Sequence, residues 1–188
     1  SFRDAVLKLA KEHPFARRLV NSGRLSVPAT LAGSPLDTPD REAFAGLMVP
    51  GAPIADAPVR AEGCDGWFLG YTGNRFAVVH FSATGELTPE VLSGLRALAR
   101  AAIPVAAVVV VQDGTKARTS HGILPAGASG PFAGISVLED VLAMLAHRFD
   151  AHDGTTYLIR PDQHVCARWR CFDPACVRTA VARATCNA

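Results

Sequence analysis

Residues 155–170, TTYLIRPDQHVCARWR, gather three arginines, a histidine and a cysteine around a Pro-Asp pair. With Cys171 and Cys176 close behind, His164 and Cys166 have the side-chain types of a zinc site, where imidazole nitrogen and thiolate sulfur are the usual donors. Two apart on one strand, His164 and Cys166 share a face. The later steps of five, Cys166 to Cys171 and Cys171 to Cys176, lack the tight Cys-x2-Cys knuckle. The plainer reading is free thiols, buried or half-buried at a strand-to-helix junction, where cysteine behaves as a small hydrophobe. Cys64 and Cys186 are isolated, and no metal ligand is assigned.

Dithiol chemistry needs a thiol whose pKa is lowered at a helix N-terminus. The segment that would carry it, HFSATGEL (80–87), has no cysteine, and DGTTYLI (153–159) has threonines where a redox site of that kind has a proline. His80 shares a strand face with Phe76 and Val78 and reads as a satisfied core or strand-end histidine. His13, His121, His147 and His152 fall on helix or loop surfaces without a nucleophile nearby. No G-x-G-x-x-G follows a strand, and GILPAGASGPFAG (122–134) lacks the phosphate-loop lysine. Neither catalytic nor cofactor-binding residues are assigned.

The elements that position these residues are read from periodicity and caps. Residues 2–13 and 14–22 form two short helices around Pro14, closed by Asn21 to Gly23. Six prolines between Leu25 and Asp65 predict an irregular arm that must lie against something. RFAVVHF (75–81) reads as a strand. Thr88 then caps a helix with Pro89 at its first position, and Val91, Leu92, Leu95, Leu98, Ala99 and Ala102 on one face. VAAVVVV (105–111) is a strand covered on both sides, so the unit is a right-handed βαβ crossover. Residues 112–135 read as loop, and Ser136 with Glu139 as the capping box of a helix through Leu138, Val141, Leu142, Leu145 and Phe149.

Tyr157 to Arg160 and Val165 to Arg170 form an antiparallel hairpin, with Pro161 at the second turn position and Asp162 bonding back to the chain. Strict alternation puts Val165, Ala167 and Trp169 toward the core. His164, Cys166, Arg168 and Arg170 then face either solvent or another domain or subunit. Asp173 caps a last helix, Pro174 first, that buries Val177, Val181 and Ala184.

This order predicts an α/β fold: a thioredoxin-like domain over 66–188 with a mixed four-stranded sheet and flanking helices, preceded over 1–65 by a helical lead-in and a Pro/Gly-rich arm. With 49% hydrophobic and 19% charged residues the chain can bury a core. Lys+Arg 19 against Asp+Glu 17 leaves +2 without a basic run, so nucleic acid is not an expected partner. AAIPVAAVVVV (101–111) is shorter than the roughly 20 residues of a membrane span, so no membrane association is expected. Five cysteines without a disulfide framework or secretory signal point to a cytoplasmic setting. Entry directly into an amphipathic helix at Ser1 reads as a piece of a longer polypeptide.

FARRLVNSGRLSVPAT (15–30), VPGAPIADAPV (49–59) and above all YLIRPDQHVCARW (157–169) resemble the C-terminal part of FAD-dependent aromatic hydroxylases similar to 3-(3-hydroxyphenyl)propionate hydroxylase. The hairpin motif matches at Leu158, Ile159, Arg160, Pro161, Asp162, His164, Val165 and Trp169. The resemblance spans nearly the whole chain and names the family better than the substrate. It implies a non-catalytic, structural or oligomer-interface C-terminal domain, redox-inactive by itself. Its partners would be the N-terminal flavin and substrate domain of the same chain, and copies of itself in a homo-oligomer. FAD and NAD(P)H are implied for the parent only, since no flavin-binding residue is matched. The alternatives are an independent thiol-based redox protein using Cys166, Cys171 or Cys176, and a free-standing interaction module.

Overall fold

A helix, α1 (Phe2–Glu12), opens the chain in the computed structural model, which describes residues 2–16, 29–112, 118–119, 122–123 and 134–187. Residues 14–16 are helical; the rest of the second lead-in helix, His121, and most of the 112–135 loop lie outside the described residues. Residues 29–57 run without helix or strand apart from a bridge between Pro53 and His164. Then come β1 (Pro58–Ala61), β2 (Cys64–Trp67), a 3-10 turn (Phe68–Tyr71), β3 (Phe76–Ser82), α2 (Pro89–Ala99) and β4 (Val105–Val111). The short pair β5 (Arg118–Thr119) and β6 (Gly122–Ile123) precedes β7 (Ile135–Glu139), α3 (Met144–Arg148), β8 (Thr156–Ile159), β9 (Val165–Trp169) and α4 (Pro174–Ala184).

The main sheet has seven strands in the order β2-β1-β7-β4-β3-β8-β9, not the four expected. The four central to the expectation are there: β4 parallel to β3, β8 antiparallel to β3, and β9 antiparallel to β8. Three more extend the β4 side, β7 running parallel to β4 and the β1–β2 hairpin adding on antiparallel. Ile135–Glu139 is therefore a strand, which corrects the capping-box helix. Ile135 and Leu138 are buried on opposite faces of the sheet, and Ala143 in the left-handed region (φ 51°) delays the helix to Met144. Asp140, not Ser136, serves that helix start, its carboxylate accepting from Leu145 N (3.1 Å) and Ala146 N (2.7 Å).

Both faces of the sheet are covered, which is why β3 and β4 are continuous apolar runs. On one face α2 and α4 bury Leu95, Leu98, Val177, Ala180 and Val181 against Phe76, Val78, Val105, Val109 and Leu158. On the other, Val79, Phe81, Val108, Phe149 and Tyr157 pack with Met48, Ile54 and Ala57 of the arm. Truncating Leu95 to Ala would cost about 2–5 kcal/mol in lost transfer energy and cavity. Thr88 and Asp173 cap α2 and α4 as expected, accepting from Val91 N and Ala175 N. The apolar face of α2 holds at Val91, Leu92, Leu95 and Leu98, while Ala99 and Ala102 are exposed at its end.

Candidate functional site

Arg160, Pro161, Asp162 and Gln163 make the hairpin turn, closed by Gln163 N to Arg160 O and Arg160 N to His164 O, both 2.9 Å. Asp162 bonds back, accepting from His164 N at 3.3 Å. Strict alternation does not survive: a bulge pairs Leu158 with Ala167 and Ile159 with Val165, leaving Cys166 as the extra residue. Val165 therefore packs on the arm side, whereas Cys166, Ala167 and Trp169 pack on the α2–α4 side.

The arm lies along the free edge of β9. Thr38 N donates to Cys166 O, Gly51 N to Val165 O, Val165 N to Ala52 O and Ile54 N to Gln163 O, all at 2.8–2.9 Å. Each hairpin arginine then holds one point of it. Arg160 binds Asp37 (3.1 Å) and Asp162. Arg168 forks onto Asp40 and donates to Met48 O at 3.0 Å. Arg170 reaches Ala43 O (2.8 Å) and Asp150 Oδ2 (2.5 Å), and its backbone N donates to Glu42. Phe44 stacks between them, with the Arg168 and Arg170 guanidinium carbons 4.4 and 3.7 Å from its ring centre. The arginine face thus meets the chain's own arm, and Arg168 is only 5% exposed.

At the β3-to-α2 corner, where a thioredoxin-like redox centre would sit, the groups are hydroxyls and an imidazole. Buried Ser82 donates to Glu86 O (3.2 Å) and accepts from Gly85 N (3.0 Å), and Ala83 N is held by Asp153 (2.8 Å). Thr156 gives its proton to Gly154 O (3.0 Å), so at 3.1 Å it accepts from His80 Nδ1–H. Burial lowers the His80 pKa to about 4, and its ring packs edge-on against Phe172, which makes it the satisfied core histidine expected. His13, His147 and His152 are exposed.

All five cysteines are free thiols. Cys166 is fully buried, and burial pushes its thiol up to about 12. Cys176 is half-buried, donates to Asp173 Oδ2 (3.3 Å) and is also raised, first by burial and then by that carboxylate. Cys64, Cys171 and Cys186 are exposed. His164 is held by the Asp162 carbonyl (3.0 Å), and among the described residues no three His, Cys, Asp or Glu side chains are placed to hold a metal ion. The β3-to-α2 turn does not fit a dinucleotide either: Ser82, Asp153 and Thr88 already occupy its amides, and Glu86 and Asp153 are anionic. No helix among the described residues is long and apolar enough to cross a membrane.

The arm residues Asp37, Asp40 and Phe44 were not singled out from the sequence. The signal that could have found them is complementarity, acids at 37, 40 and 42 in the arm against arginines at 160, 168 and 170 in the hairpin.

No protein-family model matches the chain, and no curated protein is similar to it in sequence. Solved structures do match. A thiol peroxidase from Chromobacterium violaceum superposes with TM-score 0.58 at 12% identity, over 78% of this chain and 93% of that one. This fold is thioredoxin-like. The flavin-dependent monooxygenase PieE, solved with FAD and substrate, matches with TM-score 0.51 at 20% identity over 86% of this chain and 24% of that one. Aklavinone-11 hydroxylase, solved with FAD and aklavinone, matches with TM-score 0.51 at 18% identity over 74% and 22%. The chain thus spans about a quarter of the monooxygenases it resembles and nearly the full length of the peroxidase.

Proposed function

We propose that this chain is the non-catalytic C-terminal domain, structural or oligomer-interface in role, of an FAD- and NAD(P)H-dependent aromatic-ring monooxygenase. The sulfur-free β3-to-α2 corner carries the reading: a thioredoxin-like chain without a thiol there has lost the chemistry of the fold and kept the scaffold. The partial match to two monooxygenases solved with FAD supports it. Flavin, when bound, would supply the oxygen chemistry from the N-terminal domain of the same polypeptide. What this chain's own residues do is hold the arm: three arginines lock residues 37–48 to the hairpin.

A thiol-based redox protein is the second reading, favoured by the 93% coverage of the peroxidase. Its sulfur would have to be Cys171 or Cys176, beside the N-terminus of α4, since Cys166 is inaccessible.

The test is expression of this chain together with the coding region upstream of Ser1. The reading expects a yellow protein that oxidises NAD(P)H in the presence of a phenol. A coding region that begins at this chain, or an extended product without flavin, would overturn it.

A further inference from the structure

The seven-stranded sheet ends at β2, and its hairpin fixes which backbone groups face the open edge. Ala61 pairs with Cys64 across the two-residue turn Glu62–Gly63, whose φ angles of 50° and 79° are those of a type I′ hairpin. The flanking pair Ala61–Cys64 exchanges hydrogen bonds, so Val59–Gly66 does as well. The bond from Phe68 N to Ala57 O (3.0 Å), two residues further on, has the same parity. Asp65 and Trp67 are therefore the residues whose N–H and C=O point away from β1.

Their side chains share one face of the sheet and are exposed, Asp65 at 80% and Trp67 at 62%. With Pro58, Arg60, Val141 and Leu142 they line a groove of about 360 Å³. Among the described residues this strand edge is left uncovered beside a large exposed indole, and its one charge, Asp65, limits the registers in which it can pair.

We propose that β2 pairs with β2 of a second copy, antiparallel about a two-fold axis at Gly66. Only outward-facing residues can exchange edge hydrogen bonds, which leaves three symmetric registers. Asp65 opposite itself sets two carboxylates face to face, which is destabilising. Trp67 opposite itself brings in the 3-10 turn that follows and yields only one bonded pair. Asp65 opposite the partner's Trp67 yields two bonded pairs and keeps the carboxylates apart. It also sets Gly66 against the partner's Gly66 in the non-hydrogen-bonded position, where Cα atoms come closest and a residue without a side chain fits. The partner's Trp67 then joins the row of Asp65 and Arg60, which are ion-paired at 2.9 Å. The edge is its own complement, which selects a second copy over a foreign strand.

This pairing rests on the oligomer-interface part of the reading above and names its surface. The test is sedimentation of the whole chain from low to high micromolar concentration, with Trp67→Lys alongside. A dimer that Trp67→Lys turns into a monomer with unchanged circular dichroism supports the pairing. A chain monomeric throughout, or a dimer indifferent to Trp67→Lys, overturns it. Should Trp67→Lys not fold, Trp169→Phe leaves Trp67 as the sole tryptophan. A blue shift of its emission with concentration supports the pairing and a constant emission overturns it. A failed flavin test with an intact dimer would sink the monooxygenase reading alone; a monomer would sink this interface alone.

Discussion

Arg168 grips Asp40 through a two-bonded fork, Nε to Oδ1 at 2.9 Å and Nη2 to Oδ2 at 2.6 Å, joining residues 128 apart in the chain. The arginine side chain is 3% exposed and the aspartate 29%, so the pair is unequal. Removing the aspartate leaves a buried guanidinium with Met48 O, the Tyr157 hydroxyl and the Phe44 ring. Asp40→Ala should cost about 3 kcal/mol, the low end for breaking a buried pair, because one partner keeps water contact. Urea denaturation of Asp40→Ala, Arg168→Met and the double variant checks it. The cycle should show a coupling of about 1 kcal/mol or more, and additive losses would mean the fork contributes nothing specific.

Gly51 closes the arm onto β9. Its φ of 86° is left-handed, and a Cβ there would meet Leu31 O at 2.6 Å and Asp37 Oδ2 at 2.8 Å. Both objections apply to any other residue. Gly51→Ala should cost more than the ~1 kcal/mol of an ordinary left-handed glycine, and trypsin should then cut at Arg41 while the sheet stays intact. Digestion followed by mass spectrometry reads this, and an arm as resistant as in the parent chain would contradict it.

His80 makes stability depend on pH. Buried and neutral, it titrates near 4 in the fold against an ordinary value of 6.5, so the unfolded chain takes up the proton first. The contribution is complete above about 6.5, shrinks as pH falls and is lost through about 4. At ~1.36 kcal/mol per pKa unit it amounts to about 3 kcal/mol. Urea midpoints measured between these pH values should fall in the parent chain and be flatter in His80→Gln.

The five thiols should sort by access. Cys64, Cys171 and Cys186 are exposed and should react with a disulfide reagent at neutral pH within the mixing phase. Cys176, half-buried and raised by Asp173, should follow more slowly. Cys166 should react only on unfolding, because burial holds its thiol near 12. Mass spectrometry of the labelled peptides checks the order, and early labelling of Cys166 would contradict the packing of β9.

Local chemistry carried the central part of the fold. Pro89 after Thr88 and Pro174 after Asp173 mark the two covering helices, and the valine run 105–111 marks a doubly covered strand. What was not legible is non-local. ISVLE has a helical capping box and strand-like residues at once, and only its parallel pairing with Ala107 to Val111 decides between them. The β1–β2 turn is Glu-Gly rather than a typical hairpin pair, and it sits among prolines, so its strands were hidden in the arm. The bulge at Cys166 puts Val165 and Ala167 on opposite faces, a change the alternating pattern cannot announce. In the candidate site, the missing thiol and the satisfied His80 could be read directly. The arginine seam could not, since Arg168 and Asp40 are brought together only by the arm's path along β9.

The central claim, that this chain performs no redox chemistry by itself, is met most directly by its rate of hydroperoxide reduction with dithiothreitol. The account predicts a rate equal to that of a variant with all five cysteines replaced by serine. A faster rate, abolished by Cys171→Ser or Cys176→Ser alone, would contradict it.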